Sequence, residues 1–301
     1  MKVSLIGTSK IASVHLRILL NIDENKKIYL ISRDLKKANK LIKEINNNNL
    51  NKVYSSKIDI LKTTQLSLID ICVKTNLHHI LLEKINSKGA IVFVEKPLLN
   101  PLKISGDLIS YIQKLYIKHK KLIVCYPYSY LASSVKKILP KEKIKNISFK
   151  FITTGKNHYN AISYDLIPHA YIFICKLLNV KNLEINKNSI IKTITKNSWS
   201  LKFITTNKIK INIELRENKN FPETKLNFTV NNRKIYRETD VKNGKFNNYL
   251  IYKKNKFNIL NPMDQFIKNL YKNKKNKNYF KENKKMTINL YKFHNTIDKL
   301  N

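Results

Sequence analysis

Short β-branched runs alternate with segments of helical spacing all the way to Val124, and no other property of this chain limits its fold so strongly. Val3 to Ile6, Ile28 to Ile31, Leu68 to Val73, Ile91 to Val94 and Leu122 to Val124 read as strands. Between them, Ile11 to Leu20, Leu35 to Ile45, Leu77 to Ile85 and Leu102 to Ile117 carry apolar residues at helical spacing. Strands that are apolar at consecutive positions need cover on both faces, which a parallel sheet between helices provides. The alternation therefore predicts an α/β fold whose first part is a doubly wound parallel sheet.

Beyond Tyr126 the pattern changes. Helical spacing returns at Ala132 to Leu139 and Ile162 to Leu178, but Leu183 to Asp240 is a series of short alternating segments such as Ile209-Lys210-Ile211-Asn212-Ile213-Glu214-Leu215. Such alternation predicts an open, mostly antiparallel sheet with one face packed and the other wet. Helical segments near Pro262 to Tyr271 and Thr287 to Leu300 close the chain, while Asn46 to Asn49 reads as a polar loop and Lys272 to Asn278 as a charged loop. With 301 residues, 43% of them hydrophobic, the chain can fill two cores. The expected division is a first domain over 1–123 and a second α/β domain over 124–301.

The formal net charge of +38 would by itself suggest a nucleic-acid or anionic-membrane partner. Yet only Arg17, Arg33, Arg216, Arg233 and Arg237 among the 58 basic residues are arginines, whereas readers of bases and phosphates favour the guanidinium fork. The chain is rich in Lys, Asn, Ile, Tyr and Phe and poor in Gly, Pro, Ala and Trp, the pattern of an A/T-rich coding sequence. Its lysines are spread along the whole length, so the charge reads as a solvated surface, and neither nucleic acid nor a membrane is expected as a partner. Cys72, Cys125 and Cys175 lie far apart in apolar segments; the spacing fits no zinc or disulfide framework, so buried thiols in a reducing compartment and no metal site are expected. The apolar start Val3 to Ile6 runs into a polar turn, and no stretch approaches about 18 uncharged apolar residues, so a cytoplasmic protein is expected.

The turn after the first strand, Gly7-Thr8-Ser9-Lys10-Ile11-Ala12, opens the first helix, the context of a dinucleotide-binding fingerprint. Gly7 allows the tight turn and Ala12 lets helix and strand approach, but Ser9 stands where a second glycine would lie against a pyrophosphate. Gly7, Ser9, Lys10 and Ile11 are the candidate phosphate contacts. The second strand ends at Ser32-Arg33; a small hydroxyl followed by Arg suits a 2′-phosphate and favours NADP(H). NAD(H) stays open because Asp34 follows, although Asp34 can equally cap the next helix.

Two further patches carry chemistry. Glu95-Lys96-Pro97 closes an apolar strand, where an ammonium can stabilise a developing alkoxide and the proline can fix an unusual backbone, a cis peptide included. Asp165-Leu166-Ile167-Pro168-His169 places a carboxylate and an imidazole as neighbours on one helical face, and because Pro168 suits a first turn, the helix is expected to begin near Asp165. Together with the Gly7 turn, Asn76 followed by His79, and the run Gly89 to Pro97, these motifs stand in an order and spacing that resembles the glucose-fructose oxidoreductase/inositol dehydrogenase/rhizopine catabolism (Gfo/Idh/MocA) family over essentially the whole chain.

The resemblance implies an NAD(P)-dependent oxidoreductase with a Rossmann-type first domain. In it Lys96 polarises the substrate oxygen, His169 shuttles the proton, Asp165 orients the substrate or the imidazole, and Glu95, Asn76 and His79 belong to the cofactor side. It also implies a small-molecule substrate, namely a sugar, nucleotide sugar or cyclitol, and a homodimer or homotetramer. His158 and Tyr159 are candidate substrate contacts, and His15 reads as structural. Ile167 stands where many members carry a small residue, which implies a narrower pocket, while Lys74-Thr75 and Tyr126 to Tyr130 depart from the family pattern and imply diverged substrate recognition. The alternative is a non-catalytic NAD(P)-binding regulator on the same fold, favoured mildly by Ser9.

Overall fold

The computed structural model describes residues 1–45, 49–220, 224–242 and 245–299, arranged as two compact units. Apart from Asn49, the expected loop at Asn46 to Asn49 lies outside the described residues. In the first unit, strands β1 (Lys2–Ile6), β2 (Lys27–Ile31), β3 (Val53–Ser56), β4 (Leu68–Ile71), β5 (Ile91–Val94) and β6 (Leu122–Val124) pair in the order β3-β2-β1-β4-β5-β6. Every pair is parallel. Helices α1 (Lys10–Leu20), α2 (Leu35–Glu44), α3 (Ile60–Thr63), α4 (His78–Lys84) and α5 (Leu108–Lys118) lie between the strands in the chain. The doubly wound sheet read from the sequence is therefore present, and its strand order reverses beside β1, where open α/β sheets bind ligands at their carboxyl ends.

Two local differences have simple causes. β3 escapes the apolar pattern because it is an edge strand, Val-Tyr-Ser-Ser, with no fully buried residue. α5 starts at Leu108 rather than Leu102, because Asp107 accepts from the amides of Ile109 (3.3 Å) and Ser110 (3.0 Å) and fixes the start there.

The second unit covers Tyr126–Phe266 and resumes at Thr296. Helix α6 (Tyr128–Ile138) leads into β7 (Asn146–Thr153) and the long helix α7 (Asn160–Leu178). Then follow β8 (Ile191–Ile194), β9 (Ser198–Ile204), β10 (Lys210–Glu217), β11 (Lys225–Val230), β12 (Arg233–Lys242), β13 (Lys245–Tyr252) and β14 (Asn255–Ile259). The sheet order is β14-β13-β12-β11-β7-β10-β9-β8, with β7 and β10 parallel and the other pairs antiparallel. Alternate residues are buried along β9, β10 and β11, as the period-2 pattern requires. Phe149, Phe173, Phe228 and Trp199 fill the core, with Phe173 stacked on Phe228 at 4.2 Å. Fully burying one such side chain is worth about 1.5–3 kcal/mol. By length and composition α7 is apolar enough to cross a membrane, but twelve of its residues are buried in this unit, which accounts for its apolarity.

The chain ends with α8 (Pro262–Lys272) and α9 (Lys277–Asp298). Residues Ile267–Asn295 belong to the first unit, whereas the sequence reading placed everything after Ile123 in the second domain. The cause is polar as well as apolar. Asn283 donates to the Val124 carbonyl (3.0 Å) and accepts from its amide (2.9 Å), closing the free edge of β6. The Tyr291 hydroxyl bonds both backbone groups of Leu99 (2.7 and 2.8 Å), and Tyr271 donates to Asn25 (2.9 Å). α9 also starts ten residues before the expected Thr287, because Asn276 accepts from the amides of Asn278 (3.0 Å) and Tyr279 (3.3 Å) inside the run read as a charged loop.

Candidate active site

At the carboxyl lip of the parallel sheet the ladder runs one residue past the strands. The amides of Gly7, Cys72, Glu95 and Cys125 bond the carbonyls of Ile31 (3.0 Å), Ile6 (2.9 Å), Ile71 (3.0 Å) and Val94 (2.8 Å). Gly7 has φ +125°, and a Cβ there would stand 2.5 Å from the Cys72 carbonyl oxygen, so both the backbone and the space demand glycine. Ser9 caps α1: its hydroxyl donates to the Cys72 carbonyl (3.1 Å) and accepts from Ala12 (3.4 Å). The amides of Lys10 and Ile11 in the first turn have no intrahelical partner, which makes this a cradle that fits a pyrophosphate. At the end of β2 the Ser32 amide bonds Ser56 (3.1 Å) and its hydroxyl accepts from Asp34 (3.2 Å). The Asp34 carboxylate is itself engaged as the cap of α2, which leaves Arg33 exposed at the strand end.

Behind this lip lies a cluster that the sequence reading did not assemble. Residues two apart in an extended run share a face, so Asp70 of β4 with Cys72 just after it, Phe93 of β5 with Glu95 just after it, and Cys125 after β6 all face one side. His15 of α1 is stacked on Phe93 (5.4 Å, 15°) and completely buried. Its Nδ1 meets Asp70 at 2.8 Å and its Nε2 meets Glu95 at 2.9 Å, while the Cys72 thiol donates to Asp70 at 3.3 Å. Burial alone would lower the His15 pKa, but the two carboxylates outweigh it and raise the pKa from 6.5 to about 10. The Glu95 carboxyl would rise on burial, yet the hydrogen bond and charge of His15, with Lys96 behind them, hold it below its ordinary value. Burial pushes both the Cys72 and Cys125 thiols up, so they are poor nucleophiles, in line with the expected buried thiols. His15, Asp70 and Cys72, and likewise His15, Glu95 and Cys125, have ligand atoms within 4.8 Å of one another. The hydrogen bonds already account for the closeness of the first triad.

Glu95 therefore faces inward, and the next residue, Lys96, stands half-buried at the lip, joined to Pro97 by a cis peptide. His78 supports the same turn, its Nδ1 meeting the carbonyls of Pro97 (3.0 Å) and Leu98 (3.2 Å) and its Nε2 that of Val73 (3.1 Å). The neighbouring His79, the expected cofactor-side residue, is half-buried with an Nδ1 that has no hydrogen-bond partner; Asn76 is exposed. The His78-His79 doublet was the available signal, but sequence alone does not say which ring turns inward. The signal for Asp70, which went unread, is a lone carboxylate in the apolar run Leu68 to Val73.

In the second unit, α7 begins at Asn160, not near Asp165, so Pro168 lies inside it. Proline there removes the amide that would bond the Tyr164 carbonyl, a defect costing about 3 kcal/mol in an isolated helix. Burial of twelve residues of α7 outweighs it. Ala161, Tyr164, Asp165 and His169 form its half-exposed stripe, so Asp165 and His169 do share a face. Ile167 is fully buried on another side and does not narrow that stripe. The His169 ring lies 4.1 Å from Tyr128 and 5.5 Å from Phe151, neither of them foreseen as a neighbour. Of the candidate contacts, His158 bonds the Lys196 carbonyl (3.2 Å) through Nδ1, and Tyr159 is 57% exposed with φ +53°.

The parallel sheet with its β1 switch point, the Gly7 turn and the open first turn of α1 define a dinucleotide-binding Rossmann unit. Residues 1–124 match the family model (Gfo/Idh/MocA) described as oxidoreductase family, NAD-binding Rossmann fold. No curated protein sequence matches the chain. Among solved structures, the fold is similar to the 3-ketoreductase KijD10 from Actinomadura kijaniata in complex with NADP (TM-score 0.67, 11% identity, covering 96% of this chain and 95% of that one). It is similar also to UDP-N-acetylglucosamine 3-dehydrogenase GnnA from Acidithiobacillus ferrooxidans (TM-score 0.65, 9% identity, 100% and 98% covered). A third likeness is to a putative myo-inositol dehydrogenase from Sinorhizobium meliloti 1021 (TM-score 0.66, 11% identity, 99% and 98% covered). The chain thus has an NAD(P)-binding oxidoreductase fold.

Proposed function

We propose that this protein is an NADP(H)-dependent oxidoreductase that interconverts a secondary alcohol and a ketone on a sugar, nucleotide sugar or cyclitol. The observation that carries the reading is Lys96, half-buried at the carboxyl lip of a family NAD-binding sheet and backed by the locked Glu95. A bound nicotinamide would donate or accept the hydride. Gly7 and the first-turn amides of α1 hold the pyrophosphate, and Arg33, beside an Asp34 engaged as a cap, reads a 2′-phosphate. The Lys96 ammonium hydrogen-bonds the substrate oxygen and stabilises it as alkoxide character develops. His169 takes the proton from that oxygen during oxidation and returns it during reduction, and Asp165 orients the imidazole or the substrate. The substrate class is supported by the names of the similar structures, a 3-ketoreductase, a nucleotide-sugar dehydrogenase and an inositol dehydrogenase.

The test is turnover of a panel of polyols, sugars and nucleotide sugars alongside direct cofactor binding. NADPH should bind more tightly than NADH, and Lys96→Ala should lower turnover by at least about 100-fold while sparing NADPH binding. Unchanged turnover in Lys96→Ala sinks the assignment; a dissociation-constant ratio favouring NADH sinks the cofactor choice.

A further inference from the structure

We propose that the second unit carries an anion-reading pocket in which Arg237 recognises a carboxylate or phosphate on the substrate; the sugar or cyclitol frame of that substrate rests on the proposed function, but the anion does not. A hollow of about 640 Å³ is lined by Tyr128, Leu226, Asn227, Tyr236, Arg237 and Thr239, among others. The aromatic, hydroxyl and amide mixture suits a polyhydroxylated ligand. Arg237 is its most specific feature. Its Nη2 donates to Asn248 Oδ1 at 2.7 Å, and Asn248, itself 1% exposed, also accepts from the Thr239 hydroxyl at 3.3 Å. The guanidinium is thus aimed by a fixed amide. No carboxylate among the described residues pairs with it, and its Nε is shielded from water without a partner.

Other charges of the lining do not cancel it. Glu238 is paired with Lys256 at 3.0 Å, and the remaining lining charges, Lys225, Arg237 and Asp240, sum to one positive charge. A half-buried guanidinium of this kind gains most from a planar oxyanion that can accept two of its N–H groups at once. One wall of the pocket, Tyr128, also packs against His169. The Tyr128 ring touches both groups, lying 5.9 Å from Arg237 Cζ and 4.1 Å from the His169 ring. A substrate anchored by its anion at Arg237 would therefore lie with only one aromatic ring between the anchor and the imidazole.

The experiment is equilibrium binding to the full chain in the presence of NADPH, at low salt, with matched probes. These are glucose, glucuronate and glucose 6-phosphate, and inositol with inositol 1-phosphate. At least one anionic probe should bind about tenfold or more tightly than its neutral partner. A glucuronate preference identifies a carboxylate reader; a preference for either phosphate identifies a phosphate reader. Arg237→Gln should collapse the ratio towards one, and Arg237→Lys, which keeps the charge but loses the fork, should fall between, with thermal midpoints recorded for both variants. Absence of any anionic preference in the native chain, or its survival in Arg237→Gln, overturns the proposal. If Arg237→Gln does not fold, an unreduced ratio in a folded Arg237→Lys overturns it instead. Arg237-dependent binding without turnover of any probe would remove the proposed function and leave the pocket standing. Turnover with no anionic preference would do the reverse.

Discussion

His15 and His169 are each carried by a helix onto an aromatic residue of a sheet, and they differ in exposure, one ring sealed and the other half-exposed. His15 lies on Phe93 with a carboxylate at each nitrogen and no exposure, and it stays protonated up to about pH 10. His169 lies against Tyr128 and Phe151 on the half-exposed stripe of α7. An imidazole that holds its proton so firmly cannot exchange it near neutrality. It can only hold Glu95 in place, and through Glu95 the turn that bears Lys96. The comparison teaches that a ring locked between two carboxylates serves the fold, whereas a half-exposed ring stays open to a ligand.

The sharpest way to break the comparison is His169→Ala. If this ring moves the substrate proton, turnover should fall by about 100- to 10,000-fold, with little change in the urea midpoint because the stripe is half-exposed. A loss of stability with turnover intact would make His169 a packing residue. His15→Ala should show the reverse pattern. Removing the cation strands Asp70 and Glu95 in a dry cluster, which should lower the unfolding free energy by roughly 3–5 kcal/mol. A drop below about 1 kcal/mol would contradict the clamp.

The pH profile of stability separates the same two roles. The folded pKa of His15 lies above its unfolded value, so its contribution is fully present below 6.5 and is lost as pH rises through about 10. Glu95 has a lowered folded pKa, so its contribution is present above 4.5 and lost as pH falls through a lower value. The urea midpoint of the native chain should therefore decline from 6.5 towards 10, and His15→Ala should flatten that decline. An equal slope in both chains would mean that other groups govern it.

Legibility in the sequence follows the range of the forces. The parallel sheet could be read because its inner strands are largely apolar at consecutive positions, and the alternating segments after Leu183 because one face of the second sheet is wet. Glu95, Lys96, Asp165 and His169 could be named from local spacing, and the structure does place the last two on one face. Which chain segment closes which edge was not legible, because Asn283 and Tyr291 meet Val124 and Leu99 across more than a hundred residues. The pairing of His15 with Asp70 and Glu95 was hidden for the same reason, since it arises only when α1 is laid on the face that β4 and β5 share. Pro168 misled because a local rule about first turns was set against burial of the whole of α7, and burial is larger.

The smallest predicted effects lie at the starts of the two helices. α1 is fixed by Ser9, which caps Ala12 and ties the turn to the Cys72 carbonyl, so Ser9→Ala should lower stability by about 1 kcal/mol. The cap position before α7 is Tyr159, which makes no side-chain cap bond and sits at φ +53°, a conformation that costs an aromatic residue free energy. Tyr159→Gly should therefore be neutral or stabilising by less than about 1 kcal/mol, relief of that strain being offset by the greater freedom of glycine in the unfolded chain. Opposite signs would show that the start of α1, the helix bearing the locked His15, is built for stability and that the start of α7 is not. If instead Ser9→Ala leaves the urea midpoint unchanged and weakens NADPH binding, the hydroxyl serves the pyrophosphate rather than the helix, and the degraded fingerprint is a cofactor contact in its own right.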